Sequence, residues 1–162
     1  MKATSINRKH FQIFESGQQI GELVYKDLLY QKASIVLTSN EQYKLAPVGF
    51  FDSKIVVTKN DTEIASLEMT WNGKIAITFT DGRKYLFTLD SFLDDKYSLQ
   101  NDQQETLVQV DAKFDWRKFR YNYDISYDVT NNAQNGYLLP LLAVYAANYF
   151  ISAMSGASAG AI

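Results

Sequence analysis

The sequence predicts a mainly β fold, a closed antiparallel barrel of about twelve strands around a hydrophobic C-terminal central helix. Apolar and polar residues alternate with a period of two from residue 10 to residue 129. Turn-forming pairs such as Asn72-Gly73 and Asp81-Gly82 divide this stretch into short segments. The longest apolar run then extends from Tyr137 to Met154 and contains no charged residue. These observations predict a long meander of strands followed by one apolar helix.

Length and composition limit the classes of protein to consider. The chain has 162 residues, which suits a single domain, 1–162, with a sizeable core. Its net charge of -2 predicts no nucleic-acid partner, since nucleic-acid binding requires a basic face. The absence of Cys excludes disulfides and thiol chemistry. The first residues lack the apolar region of a secretory signal, so a cytoplasmic location is expected, with membrane association left open.

Eleven strands are predicted from the alternation. They lie at residues 10–15, 19–26, 31–38, 42–47, 54–59, 62–70, 73–80, 83–89, 92–99, 105–112 and 117–128. A further strand between Pro47 and Asp52 would bring the number to twelve.

The register of the middle hairpins follows from which side chains are apolar. A three-residue loop, Trp71–Gly73, places Met69 opposite Ile75, whereas a two-residue turn would place the polar Thr70 there. A one-residue slip would turn every core side chain outward, so the longer loop is predicted.

The same need to place apolar residues opposite one another predicts a second three-residue loop, Thr80–Gly82, which places Ile77 opposite Tyr85. Both loops are expected to end in a left-handed glycine, Gly73 and Gly82 respectively.

The inward faces of the strands are apolar and aromatic. The residues predicted to face inward are Leu67, Met69, Ile75, Ile77, Phe79, Tyr85, Phe87, Phe119, Tyr121, Tyr123, Ile125 and Tyr127. Side chains alone fill a barrel of about eight strands, so a barrel of about twelve needs additional filling. A helix about 10–12 Å wide and apolar on all sides would supply it, and residues 137–154 provide such a helix.

Two other roles for this helix stay open at this point. The run is about as long as the shortest membrane spans, so it could be a transmembrane tail. Asn148 and Pro140 interrupt it, and no Lys or Arg flanks it, which disfavours a span. A subunit interface is the third alternative.

The order of the elements, with the final segment YLLPLLAVYAANYF, resembles the tubby C-terminal domain, the phospholipid scramblases and the LURP-one-related proteins. The resemblance covers nearly the whole chain. It implies a twelve-stranded barrel around a central helix, with phosphoinositide binding as in tubby or calcium-linked lipid movement as in the scramblases. No stretch aligns residue by residue with the tubby phosphoinositide pocket or the scramblase calcium segment, so no site residue is carried over.

The sequence contains no recognisable catalytic or metal-binding motif. His10 is the only histidine, and a lone His near a terminus is expected to be a surface residue. Asp90, Asp94 and Asp95 cluster, but they lack the spacing and turn glycine of a calcium loop, so a solvated strand junction is predicted. We therefore predict no enzyme, no catalytic residues, no metal and no cofactor.

The best polar cluster is basic and includes one aromatic residue. Its members are Lys113, Trp116, Arg117, Lys118 and Arg120. Basic residues beside an exposed aromatic are typical of binding to lipid headgroups at a membrane surface. The alternative interpretation is the wet face of a strand, with Asp115 and Asp124 offsetting the charge.

Three functions follow from these observations. The first is a non-enzymatic binding module for acidic lipid headgroups, with an anionic phospholipid or membrane surface as partner. The second is a cytoplasmic structural or protein-interaction domain with an unknown protein partner. The third is a tail-anchored membrane protein.

Overall fold

The computed structural model describes residues 1–49 and 54–160, and the side chains of residues 1–49 and 54–156. The described residues form twelve strands, one short 3-10 helix and one α-helix. They are β1 (Lys2–Asn7), β2 (His10–Glu15), β3 (Gln18–Tyr25), β4 (Ala33–Leu37), β5 (Gln42–Pro47), β6 (Lys54–Lys59), β7 (Thr62–Met69), β8 (Ile75–Phe79), β9 (Lys84–Ser91), β10 (Lys96–Asn101), β11 (Thr106–Asp115), β12 (Arg120–Tyr127), the 3-10 helix Ala133–Asn135 and α1 (Leu138–Gly160).

The strands form a closed antiparallel barrel. Each strand pairs with the next along the chain, and β1 closes the sheet by pairing with β12, with Ala3 opposite Tyr123. Closure removes both edges of the sheet. The predicted fold class, a mainly β barrel of twelve strands with an apolar C-terminal helix, is therefore confirmed.

The twelfth strand is β1, which the sequence interpretation missed because it began the sheet at His10. The inward residues of β1 are Ala3 and Ser5, which are buried but small, so the apolar alternation is weak there. The extra strand proposed between Pro47 and Asp52 is not seen at Pro47, which ends β5, or at Val48. Phe50–Asp52 lie outside the described residues.

The predicted hairpin registers are confirmed. Met69 pairs with Ile75, and Ile77 pairs with Tyr85. The N–H of Gly73 donates to the carbonyl of Thr70 at 3.0 Å, which closes the first three-residue loop. Gly73 and Gly82 have φ of 76° and 96°, the left-handed conformation that glycine adopts at little cost.

The start of β12 was predicted wrongly. The predicted strand began at residue 117 and placed Phe119 inside the barrel, but β12 begins at Arg120 and Phe119 is 62% exposed. Residues 116–119 form a turn that Phe119 ends in a left-handed conformation (φ 51°), which directs its side chain away from the core. The predicted strand 92–99 also began too early, since β10 starts at Lys96.

Helix α1 fills the barrel, as predicted. Leu139 and every residue from 141 to 147 have no exposed surface. The three alanines in this stretch allow the strands to approach the helix closely. A side-chain carbon at Gly21 would lie 3.0 Å from Cδ2 of Leu37 and 3.3 Å from Cδ2 of Leu141, so β3 needs a glycine where it meets the helix.

The barrel also provides hydrogen-bond partners for Asn148, the buried polar residue of the helix. Asn148 accepts a hydrogen bond from the Tyr123 hydroxyl at 2.7 Å and donates one to the Tyr25 hydroxyl at 3.1 Å. Among the described residues, Leu138–Gly156 is the one helical segment long and apolar enough to cross a membrane, judged by length and composition. Of that segment 67% is buried inside the protein, which favours a helix that fills the barrel over a transmembrane tail.

Antiparallel strands that follow one another divide their loops between two ends of the barrel. The basal end, where α1 begins, contains residues 16–17, 38–41, 60–61, 80–83, 102–105 and 128–137. The apical end, where α1 emerges, contains residues 8–9, 26–32, 48–49, 70–74, 92–95 and 116–119, with the last turns of α1.

Candidate functional site

Three of the five predicted site residues lie together in the β11–β12 turn at the apical end. Trp116, Arg117 and Lys118 are all exposed. Asp115 fixes the turn, because its Oδ1 accepts the Arg117 N–H at 3.0 Å and its carbonyl accepts the Lys118 N–H at 3.2 Å. The turn is therefore held through its own backbone N–H groups, and the two basic side chains take no part in these hydrogen bonds.

The other two predicted residues are engaged elsewhere. The Nζ of Lys113, on the outer face of β11, lies 2.8 Å from Oδ2 of Asp111, and this contact raises the pKa of the Lys113 ammonium. Arg120 donates through Nη1 to the carbonyl of Ile6, and its buried Nε has no partner among the described residues. The structure thus divides the predicted cluster into an exposed basic turn, a paired lysine and an anchored arginine.

The apical end carries most of the exposed large apolar side chains. Of the eleven among the described residues, nine lie at this end and none at the basal end. The nine are Leu28, Leu29, Val48, Trp71, Phe92, Leu93, Trp116, Phe119 and Met154. Trp71 and Leu93 are 98% and 97% exposed, so these side chains project fully into solvent.

The charges of the loops are also divided between the ends. Among the described residues, seven basic and three acidic side chains lie in the apical loops, against one basic and six acidic in the basal segments. The apical basic residues are Arg8, Lys9, Lys26, Lys32, Lys74, Arg117 and Lys118. The carboxylate of Asp27, one of the three apical acids, accepts three backbone N–H groups of its own loop. The apical end is therefore basic as well as apolar.

The basal end has the larger cleft, about 410 Å³, but the charged residues that line this cleft are paired with one another. Lys59 lies 2.5 Å from Glu41, and Arg83 lies 2.7 Å from Asp81. The hydrogen bond from each cation lowers the pKa of its carboxylate partner. Arg83 also donates to the carbonyl of Gln134, so this end ties the segment before α1 to the barrel.

The apical end has a smaller cleft, about 310 Å³, between the emerging helix and three of the loops. Its wall contains Phe11, Phe114 and Phe119, and its helix side contains Ile151. Tyr121 and Phe114 pack edge to face at 5.0 Å and continue this wall.

The described residues contain no group of three His, Cys, Asp or Glu side chains that could hold a metal ion. Oδ1 of Asp90 accepts hydrogen bonds from the hydroxyls of Ser98 and Thr88, whereas Asp94 interacts with Ser91. His10 lies on the barrel surface, with Nε2 3.0 Å from Glu22.

The sequence interpretation missed most of the apical end. It placed the site along one strand, and so omitted Leu28, Trp71 and Leu93, together with Arg8 and Lys74. One signal was present in the sequence: alternate loops of a meander share an end, and these residues lie in alternate loops. Grouping every second loop along the chain would have brought the apolar and basic residues together.

Comparison of the chain with protein-family models, with curated proteins and with solved structures finds no match. The resemblance to the tubby-like proteins therefore stays a prediction.

Proposed function

We propose that this protein is a non-enzymatic binding module that docks its apical end on an anionic membrane surface. The observation that carries the proposal is the concentration there of nine of the eleven exposed large apolar side chains of the described residues. Water-exposed apolar side chains in several separate loops cost free energy unless a second apolar phase covers them. A lipid interface is such a phase.

The residue types fit a membrane interface. Trp71 and Trp116 are the two tryptophans of the sequence, and tryptophan is enriched at the headgroup level of membranes. Burying a large apolar side chain completely contributes roughly 1.5–3 kcal/mol, and shallow insertion contributes a part of that. Each basic residue close to an anionic surface adds about 1 kcal/mol. Several weak contributions from different loops would sum to reversible binding.

The distribution of charge also predicts how the protein is oriented on a membrane. The acidic side chains concentrated in the basal segments would be repelled by an anionic surface, while the basic apical loops would be attracted. The protein would approach with α1 pointing at the membrane. Because the net charge is -2, the protein as a whole is not attracted to an anionic surface, and only its apical end is. This attraction is electrostatic, so binding should weaken as the salt concentration rises.

A protein partner would also cover an apolar surface. The apical loops mix basic with apolar side chains, and this mixture favours a lipid surface, because protein interfaces bury few charges at their centre. The predicted resemblance to proteins that bind or move phospholipids supports the same class of ligand.

Co-sedimentation with vesicles tests the proposal. Wild type should bind vesicles containing phosphatidylserine or a phosphoinositide more strongly than phosphatidylcholine vesicles at low salt. The double variant Arg117→Glu and Lys118→Glu should lose most of this preference. The matched control, Lys44→Glu and Lys84→Glu, makes the same change in net charge away from the apical end and should bind like wild type.

The proposal is wrong if wild type shows no preference for anionic vesicles at low salt. It is also wrong if the apical double variant and its control lose binding equally, because then only total charge matters.

A further inference from the structure

The apical cleft differs from the docking surface around it because it is a concave site with its own polar groups. Ligand sites in proteins have volumes of about 300–1,000 Å³ and mostly apolar walls with a few placed polar groups. The cleft, at about 310 Å³, lies at the lower limit of this range. Its size suits one narrow apolar chain rather than a bulky or two-chain ligand.

The charges on the cleft are of one sign. Arg8 and Arg120 line it, and the described lining residues include no Asp or Glu. No ion pair between either arginine and a carboxylate occurs among the described residues. Two guanidinium groups without an acidic partner favour an anionic ligand, and their planar donors match the oxygens of a phosphate.

Arg120 is held in place with one donor unused. Its Nη1 donates to the carbonyl of Ile6, which fixes the guanidinium, while its Nε is buried and has no partner among the described residues. A buried donor without an acceptor costs free energy. The guanidinium that the bond to Ile6 fixes belongs to a residue lining the cleft, so Arg120 presents a positive charge there at a defined position.

We infer that the apical cleft binds a single anionic amphiphile, a molecule with one alkyl or acyl chain and a phosphate headgroup. The chain lies against Phe11, Phe114, Phe119 and Ile151, and the phosphate meets Arg8 and Arg120. Burial of the apolar chain supplies affinity, and the arginines supply selectivity for charge. The inference rests on the proposed function in one respect, namely that the membrane is the source of the ligand. The cleft itself should bind such a molecule in solution, without a membrane.

Isothermal titration with decyl phosphate below its critical micelle concentration tests the cleft without vesicles. We expect saturable binding at one site for each protein molecule. Inorganic phosphate and the neutral decyl maltoside should each bind at least about tenfold more weakly, since each lacks one of the two interactions. If inorganic phosphate alone binds as well as decyl phosphate, the inference about the chain is wrong.

Two matched pairs of variants locate the binding site. Arg8→Gln should weaken binding of decyl phosphate by about tenfold, and Lys9→Gln, its neighbour outside the cleft, should not. Ser152→Trp should fill the cleft and abolish binding, whereas Ala153→Trp places the same side chain on the exposed side of α1. Arg8 is exposed, so its variant should fold even if the Ser152 variant does not.

The inference is overturned if decyl phosphate shows no saturable binding, or if a correctly folded Arg8→Gln protein binds it like wild type. Vesicle binding separates this result from the proposed function. A wild type that binds decyl phosphate but not anionic vesicles would support the cleft and reject the docking surface. Binding to vesicles without binding to decyl phosphate would do the reverse.

Discussion

The two ends of the barrel share one kind of hairpin loop and differ in chemistry. Both contain short loops between antiparallel strands, and the loops ending in Gly73 (apical) and Gly82 (basal) have the same three-residue form. The basal end pairs the charges that line its cleft and ties down the segment before α1. The apical end exposes tryptophan, leucine and basic residues, and the basic residues of its loops form no ion pair within the described part of the chain. A barrel end can therefore be formed without the exposed apolar and basic residues that the apical loops contain.

This difference separates residues that hold the fold from residues available for binding. Helix α1 shows both roles within one element, since residues 141–147 are sealed inside the barrel and residues 153–156 are exposed where it emerges.

Leu142→Asp should have the largest effect. Leu142 has no exposed surface, and an unpaired carboxylate there costs several kcal/mol, a large part of the 5–15 kcal/mol that stabilises a typical domain. We expect no folded, soluble protein by circular dichroism. The matched change Met154→Asp, on the exposed part of α1, should leave folding intact and weaken vesicle binding. A folded Leu142→Asp protein would show that the helix does not fill the barrel.

Trp71→Ser combined with Leu93→Ser should reduce binding to anionic vesicles by about tenfold or more, since two side chains lose their transfer into the interface. Stability should change little, because both side chains are almost fully exposed. Vesicle titration and thermal unfolding measure the two quantities. Val36→Ser, an exposed apolar residue on the outer face of β4, is the control and should keep vesicle binding unchanged.

Gly73→Val and Gly82→Val should each cost about 1 kcal/mol or more of folding free energy, because a β-branched residue resists a positive φ. No atom within 4 Å opposes the new side chain at either position, so the cost is conformational. Urea unfolding of both variants measures it. Similar costs at both ends would support a shared hairpin form. A loss at one end alone would show that the loops are not equivalent.

Glu41→Gln should have the smallest effect, below about 1 kcal/mol, since the Glu41–Lys59 pair is partly exposed. The hydrogen bond from Lys59 lowers the pKa of Glu41, so the folded state favours the carboxylate. This contribution is present above the unfolded-state pKa and is lost as the pH falls through the lower folded-state pKa. Below pH of about 4, wild type and variant should converge in stability. A difference that grows toward acid would contradict this sign.

The sequence was sufficient for the parts of the fold that depend on alternation. The register at Met69 and Ile77 and the filling helix follow from which residues are apolar. Strand β1 was missed because Ala3 and Ser5 are too small to show the pattern. Phe119 was misplaced because alternation continues through a turn, and only the backbone conformation there shows that the strand has not yet begun.

The candidate site was less predictable because it is assembled from separate loops. The turn at Trp116 and Arg117 was found from local composition. Its neighbours at the apical end come from loops far apart in the chain, such as those of Leu28 and Leu93. The pairing of Lys113 with Asp111 and the anchoring of Arg120 depend on side-chain positions that composition does not specify.

The most direct test of the central claim is the depth of each barrel end in a membrane. The sequence has no cysteine, so Asn72→Cys in an apical loop and Gln103→Cys in a basal loop each give one labelling site for an environment-sensitive fluorophore. With anionic vesicles, the label at position 72 should shift to the blue and be quenched by brominated lipid chains, while the label at 103 should do neither. Equal quenching at both positions, or quenching at 103 alone, would contradict apical docking.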